Sequence, residues 1–574
     1  MTRALVAAAF LALVLAPGAA AAERARLTED EATAAFLRHG KVADWLDRYP
    51  VKGRVKDAEF DPKSKTWTVH VWWDEAGEIA TGKVDDGSGR VTEAWTGPQV
   101  AWKMARGYEG AFGGRSISRV DVWLAFCVVF LLGLVDWRRP LSIRTFDLLA
   151  LLSFTVPLWF FNDGNIFASM ALVYPALAYL AARMVWVGVR GRSPSTRAAV
   201  WPVWVLLAAT IFLAGFRIGL NLEDSNVIDV GYSGVIGAHR IANGEMPYGH
   251  MPAQGSLRKC GDADAEGEVR ERIQTNGRCE SSNERGDTYG PVAYMAYLPG
   301  FWLLGWSGKW DSLPAAHFTS IALDLLVMLG LALVGRRFGG LRLAVVLPFA
   351  WAAYPFTQYV SSSNTNDALP ALLLVWGFWL ASSHVARGAF GALAGWAKFS
   401  SLLVVPLWAT YPDGLRRPRG PILFGMGFLV ATLASFWILL LEPDPLHAAR
   451  VFWDRTFGWQ VTRESPFSIW DWGQYHAAGI PDLHLVQMPL IGLVLASAVA
   501  FSLWPRRKSP LQLAALTGAL LVGFELVLTH WFFLYIPWFF PFVAFAVLAP
   551  SGRRSREEEA VEAERPVPEL VPTG

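Results

Sequence analysis

The sequence predicts an all-α polytopic membrane protein with a small extracytoplasmic α+β domain ahead of its membrane spans. Three observations carry that prediction. The chain of 574 residues is 53% hydrophobic, with 28 Trp and 35 Phe. Many of its apolar runs approach the roughly 20 residues that a helix needs to cross a hydrocarbon core of about 30 Å. Basic residues recur in clusters between those runs, the pattern that marks cytoplasmic loops. The net charge of +2 is nearly balanced and gives no case for a nucleic-acid partner.

Taken in order, MTRALVAAAFLALVLAPGAAAAERA starts with one basic residue, runs through an apolar stretch and ends in alanines. Residues 1–22 therefore read as a signal peptide cleaved near Ala20 to Ala22, with an uncleaved first span as the alternative. Either way the next segment is exported. Residues 23–113 are polar enough for a soluble domain. Two helical stretches, TEDEATAAFLRHG and VADWLDRY, precede alternating segments interrupted by turn residues at 61–63, 75–77 and 85–89, so helices with an antiparallel meander are expected. On this pattern and the hairpin AGEIATGKVDDGSGRV, the domain resembles a PepSY-type domain, which implies binding or inhibition. A plain periplasmic spacer is the other reading.

With that domain outside, three additional spans over 118–190 bring Arg138 and Arg139 inside, return at Asn162 to Asn165, and bring Arg190, Arg192 and Arg197 inside again. A fourth span, 199–218, then delivers Asp224 and Asp229 to an exterior loop over 219–290. Later spans fall at about 315–335, 342–359, 367–384, 421–441, 486–505, 511–530 and 532–549, with basic turns at Arg336 and Arg337, Arg416, Arg417 and Arg419, and Arg506 to Lys508. Residues 291–306 are placed as a helix lying in or dipping into the outer leaflet, because one crossing there would invert every later basic cluster. Residues 388–411 join two interior ends and should form a pair of short helices meeting near Lys398 and Ser400. The total is about 11 to 13 transmembrane helices. The tail 551–574 reads as a disordered cytoplasmic extension.

Cys260 and Cys279 share the large exterior loop and are expected to form a disulfide in an oxidising compartment. They lack partners at metal-ligand spacing. No metal site is predicted, although Asp224 with Asp229 has the chemistry to hold a divalent cation.

A set of segments spread between Trp201 and Pro550 resembles the polyprenyl-phosphate-dependent membrane glycosyltransferases of the GT-C superfamily, most closely family 87, which includes bacterial mannosyltransferases. The segments are DVGYSGVIGAHRIANGEMPYG, GDTYGPVAYMAYLPG, PAAHFTSIALDLL, AWAAYPFTQYVSSSNTNDAL, ALAGWAKFSSLLVVPL, DRTFGWQVTRESPFSIWDW and THWFFLYIPWFFPF. The likeness covers residues 199–550 as a GT-C membrane core and leaves out the N-terminal domain and the first three spans. It implies transfer of a hexose, mannose by analogy, from a polyprenyl-phosphate donor to an extracytoplasmic glycolipid, cell-wall glycan or protein. It also implies a site on the outer face of a bacterial cytoplasmic membrane, with no cofactor beyond that lipid-linked donor.

Such a transfer needs a carboxylate to take the acceptor proton and cations to stabilise the departing phosphate. The resemblance puts the base in the first exterior loop of the core, where Asp229 is preferred because it opens DVGYSGVIGAHRI and Asp224 is second. A helix cap is the plain reading for either. For the phosphate the candidates are Lys398, a costly cation between apolar runs, Arg463 and His530. Snorkelling, a loop ion pair and a span terminus are their ordinary readings. Asp287, Tyr289 and Asp367 are candidates for acceptor or sugar contact, with turn formation and span capping as alternatives. Trp470 is the aromatic expected to touch carbohydrate, the other interfacial Trp and Tyr reading as a membrane belt. Asp324, inside a span, is expected to be paired.

Two other classes stay open. A transporter should show paired repeats around broken helices, and none is evident. A sensor or assembly factor would keep the transferase-like core without activity.

Overall fold

The computed structural model describes residues 25–107, 112–195, 197–251, 272–273, 279–280, 285–306 and 313–550. The expected signal peptide, the tail after 550, Cys260 and the side chain of Cys279 lie outside the described residues. The chain is mostly helical (67%) and divides into two compact units. The first is Met1–Arg106 with Trp472–Asp482, the second Gly107–Asp471 with Leu483–Gly574. The expected boundary at 113 thus falls at 106/107, and residues 472–482, expected in a loop of the core, group with the first unit.

In that first unit, Glu29–Leu37 opens with a capping box in which Thr28 and Glu31 satisfy each other's backbone N–H groups. A second helix, Gly40–Leu46, follows. Strands β1 (Arg54–Asp61), β2 (Thr66–Trp73), β3 (Gly77–Asp85) and β4 (Val91–Thr96) pair antiparallel in sequence order, the meander that the turn residues predict. Trp67, Val69 and Val71 alternate on the buried face of β2, and Phe36 packs with them at 0% exposure. Asp86 ties down the chain start, accepting from the backbone of Arg26 (2.8 Å) and Leu27 (2.9 Å) and from the Trp67 indole (3.0 Å). Residues 472–482 join through Tyr49 Oη, which donates to the Tyr475 carbonyl at 2.7 Å.

The second unit is helical. Six of its helices are long and apolar enough to cross a membrane: Ile143–Asn162, Ile166–Arg190, Val203–Glu223, Pro314–Ala353, Arg419–Leu441 and His484–Leu503. Shorter apolar helices include Val120–Leu134, Ala368–Trp379, Phe399–Ala409, Pro510–Leu526 and Phe533–Leu548. Pro314–Ala353 is really two helices, because Gly340 leaves helical geometry at φ 71° and ψ −165°, a conformation open to glycine. That break matches the turn expected between 335 and 342. Residues 291–306 hold two short helices, Pro291–Met295 and Leu298–Leu304, too short to cross singly. His384–Ala397 and Phe399–Val404 meet at Lys398, the pair of short helices expected over 388–411. Outward-facing side chains such as Ile211, Phe212, Leu429 and Val430 are exposed, so apolar surface rings the bundle.

Polar contacts tie the helix ends together. At one end, Trp201 Nε1 bonds Leu132 O (2.7 Å), Gln512 Nε2 bonds Gly188 O (2.9 Å), Arg337 Nη2 bonds Ser382 Oγ (2.8 Å) and Lys508 N bonds Pro412 O (3.0 Å). These contacts lie beside the basic clusters 138–139, 190–197, 336–337, 416–419 and 506–508. At the other end, Ser116 N meets Asp224 (2.7 Å), Asn226 N meets Ser362 O (3.0 Å) and Lys398 meets Asp367 (3.1 Å). Midway, Asp324 pairs with Arg217 of a neighbouring helix through both carboxylate oxygens (2.5 and 2.9 Å) and also accepts from Trp351 Nε1 at 2.7 Å. A buried acid is tolerated when it is so satisfied.

Candidate active site

The carboxylate-bearing end of the helical unit is built on close backbone approaches. Asp229 is the first residue of the helix Asp229–Ala242, whose glycines fall at 231, 234 and 237. A Cβ on Gly231 would sit 2.3 Å from Asn364 O, and Cβ atoms on Gly234 and Gly237 would strike the rings of Tyr297 and Tyr294. The small-residue spacing therefore presses one helix face against residues 363–366 and the short helices that follow the long loop. Gly290 plays the same part in the turn carrying Tyr289, since a Cβ there would lie 2.0 Å from Trp396 O.

The stretch 360–367, which joins the spans expected at 342–359 and 367–384 and reads as an exterior loop, is buried throughout. Burial of so polar a segment demands partners, and Asn364 supplies many of them from a left-handed φ of 53°. Its amide donates to Ser225 Oγ (2.9 Å) and Asn226 O (2.8 Å), and its oxygen accepts from Asn221 Nδ2 (2.8 Å). This network fixes Asp367, 1% exposed. Asp367 pairs with Lys398 Nζ at 3.1 Å, and Lys398 stands over the Tyr289 ring at 4.0 Å and near Trp538 at 5.8 Å. A lysine held against a carboxylate and an aromatic face is paired rather than snorkelling.

Asp229 and Arg463 both act electrostatically on Lys398, and Tyr289 and Tyr535 both sense Asp229 and Asp367. One group thus contains Asp229, Tyr289, Asp367, Lys398, Arg463, His530 and Tyr535. Asp229, Tyr289, Arg463 and Tyr535 are half-buried, whereas Lys398 and His530 are buried. The group has an accessible rim and a closed floor.

No known protein family, curated protein or solved structure matches the chain. The chemistry is therefore read from the residues.

Arg463 Nη2 lies 2.8 Å from His530 Nε2, and His530 Nδ1 lies 2.7 Å from Ser465 Oγ. A guanidinium only donates, so Nε2 accepts and Nδ1 carries the proton. His530, expected as a donor to phosphate, spends Nε2 on Arg463 and orients it instead. Asp287, expected near an acceptor, is 0% exposed and takes Arg455 through Nε and Nη2, both at 2.6 Å, plus Gly249 N at 2.6 Å. It fastens the turn before Tyr289 to the segment around Arg455.

Two expectations are corrected. Trp470, expected on an open loop, is 5% exposed, donates its indole N–H to Leu526 O at 2.8 Å and packs edge-on with Tyr174. The helices Ile166–Arg190 and Pro510–Leu526, which carry those two partners, close over it. Asp224 turns its carboxylate to Ser116 N at 2.7 Å, capping the short helix Arg115–Ser118. It borders a separate cleft of about 380 Å³ with Leu304, His317 and Phe318. Among the described residues no three His, Cys, Asp or Glu side chains converge as a metal site.

Sequence reasoning missed Asn364, Arg455, Ser465 and Glu525, and it read Tyr535 and Trp538 with the membrane belt. Glu525 had a usable signal, an acid inside an apolar helix. The others sit in aromatic or polar surroundings where nothing local distinguishes them.

Proposed function

We propose that the chain is a multi-pass membrane glycosyltransferase that moves a hexose from a polyprenyl-phosphate donor to an extracytoplasmic acceptor. The carrying observation is the gathering of Asp229, the Lys398–Asp367 pair and Arg463 at the helix ends opposite the basic clusters. By the bias of basic residues towards the cytoplasm, those ends face outward, on the far side of a bacterial cytoplasmic membrane. The resemblance to GT-C enzymes supports the same reading.

In this scheme the acceptor hydroxyl approaches the accessible rim and Asp229 takes its proton. The acceptor oxygen bonds to the anomeric carbon as the bond from that carbon to the phosphate oxygen breaks, and the electron pair leaves with the phosphate. The result is inversion at that carbon. Lys398 and Arg463 receive the growing negative charge, with Asp367 holding Lys398 and His530 holding Arg463 in position. Mannose is the sugar suggested by family analogy, and the N-terminal domain is an accessory binding module in this picture.

The test is transfer of radiolabelled sugar from polyprenyl-phosphate-mannose and polyprenyl-phosphate-glucose to membrane extract by the purified protein. Label moved from either donor, and lost with Lys398→Met, is expected. Absence of transfer from both, with extract that supplies glycolipid, glycan and protein acceptors, overturns the assignment.

A further inference from the structure

Four buried polar groups, on residues adjacent in sequence to the Lys398–Asp367 pair or interacting with it, take no part in the scheme above. The Trp538 indole N–H, Asn366 Oδ1, Ser400 Oγ and Glu525 Oε1 have no hydrogen-bond partner among the described residues, although their residues are between 0% and 5% exposed. Folded interiors leave few such atoms, because an unpaired buried donor or acceptor keeps its full desolvation penalty. Their placement links them. Asn366 precedes Asp367, and Ser400 follows Lys398 by two residues. The Trp538 ring lies 5.8 Å from Lys398 Nζ, and Glu525 interacts electrostatically with Asp367.

Their chemistry narrows what fits. The indole donates only, the asparagine oxygen and the glutamate oxygen accept, and the serine does either. Hydroxyl groups, which both donate and accept, complement such a set. A phosphate does not, because Asn366 Oδ1 and Glu525 Oε1 present acceptors to it and the four groups include no cation. The ring of Trp538 stacks on Tyr535 at 4.2 Å, adding a flat apolar wall of the kind that covers the C–H face of a sugar.

We propose that Trp538, Asn366, Ser400 and Glu525 form a subsite for the hydroxyls of a neutral hexose ring, set beside Lys398 and Arg463, which meet its phosphate. The proposal rests on the glycosyl-transfer reading for the identity of the ligand. It adds which residues recognise the sugar and separates them from those that hold the phosphate.

The experiment is calorimetric titration of the purified full-length protein with farnesyl phosphate, farnesyl-phosphate-mannose and farnesyl-phosphate-glucose. Wild type is expected to bind at least one sugar-bearing lipid about tenfold more tightly than farnesyl phosphate. Trp538→Phe, which removes only the N–H, and Ser400→Ala should each lower that preference by about 3- to 10-fold, the worth of one hydrogen bond, and leave farnesyl phosphate affinity unchanged. Equal binding of all three lipids by wild type, or a preference untouched by both variants, overturns the subsite and leaves the phosphate reading standing. A sugar preference without label transfer to any acceptor retires the transfer reading and leaves the subsite. Binding of none of the three overturns both.

Discussion

Asp229 and Asp224 lie five positions apart in sequence and have opposite assignments, which a paired substitution resolves. Asp229→Asn keeps the shape of the side chain and an oxygen for Val230 N, which its Oδ1 now accepts at 2.9 Å. The change removes the negative charge and with it the capacity to take a proton. A positioned base contributes about 10²- to 10⁴-fold, which corresponds to about 2.7–5.4 kcal/mol of barrier, and transfer should fall by that factor. Because Asp229 is half-buried and the replacement is isosteric, stability should move by no more than about 0.5 kcal/mol. Asp224→Ala does the reverse. It deletes the 2.7 Å contact with Ser116 N, the equivalent of losing a helix cap at roughly 0.5–2 kcal/mol, and leaves the rate near wild type. The assay pairs sugar transfer with thermal unfolding of the same preparations in detergent. Full transfer by Asp229→Asn refutes the base, and loss of transfer in a stable Asp224→Ala refutes the separation of the two acids.

Other perturbations give distinct outcomes. Asp324→Asn leaves the buried Arg217 guanidinium, whose residue is 1% exposed, without its charge partner and should cost about 3–5 kcal/mol, whereas the double replacement Arg217→Met with Asp324→Leu should recover most of it; melting curves in detergent decide, and additive losses contradict the pairing. His530→Ala frees Arg463 and should raise KM for the donor more than it lowers kcat, with partial rescue by His530→Asn; equal loss in both variants confined to kcat points to a direct proton-transfer role. Gly234→Val drives a side chain into Tyr297, whose ring lies 2.2 Å from the ideal Cβ position, and should cut the yield of folded protein on size exclusion, unlike Gly215→Val, where the space is open. In the N-terminal unit, burial opposes ionisation of Asp86, but the N–H groups of Leu27, Arg26 and Trp67 outweigh it and hold the carboxyl below its ordinary value. Its stabilisation is therefore complete above the unfolded carboxylate range near about 3.9 and is lost as pH falls through the lower folded value. Asp86→Asn should increase proteolysis around Arg26 at neutral pH, and the difference from wild type should close in strong acid; a difference that persists there contradicts the linkage.

The sequence by itself determined the coarse architecture, a mostly helical chain with long apolar helices behind a small N-terminal four-stranded sheet. Long apolar runs, basic clusters at alternate ends and turn residues in the N-terminal domain each act locally. Hydrophobic length sets a span, and Asp61 and Gly77 mark turns whatever surrounds them. The pairing of Asp324 was legible for a similar reason, since an acid in an apolar helix has few alternatives. Asp229 and Lys398 could be singled out one at a time.

Only the tertiary structure decided which candidates meet. Residues 229, 289, 367, 398, 463 and 530 come from separate elements, and their convergence depends on Gly231 and Gly290 letting backbones close to contact. Trp470 and Asp224 looked as eligible in sequence, and they were removed by a closing pair of helices and by one backbone N–H. Burial of the polar stretch 360–367 reversed a local reading, because Asn364 reaches Ser225 and Asn226 across more than 130 positions. Hydrogen bonds of that range leave no periodic trace in the chain. They are set by the packing of distant segments, and the site exists where that packing brings opposite charges and unpaired polar atoms together.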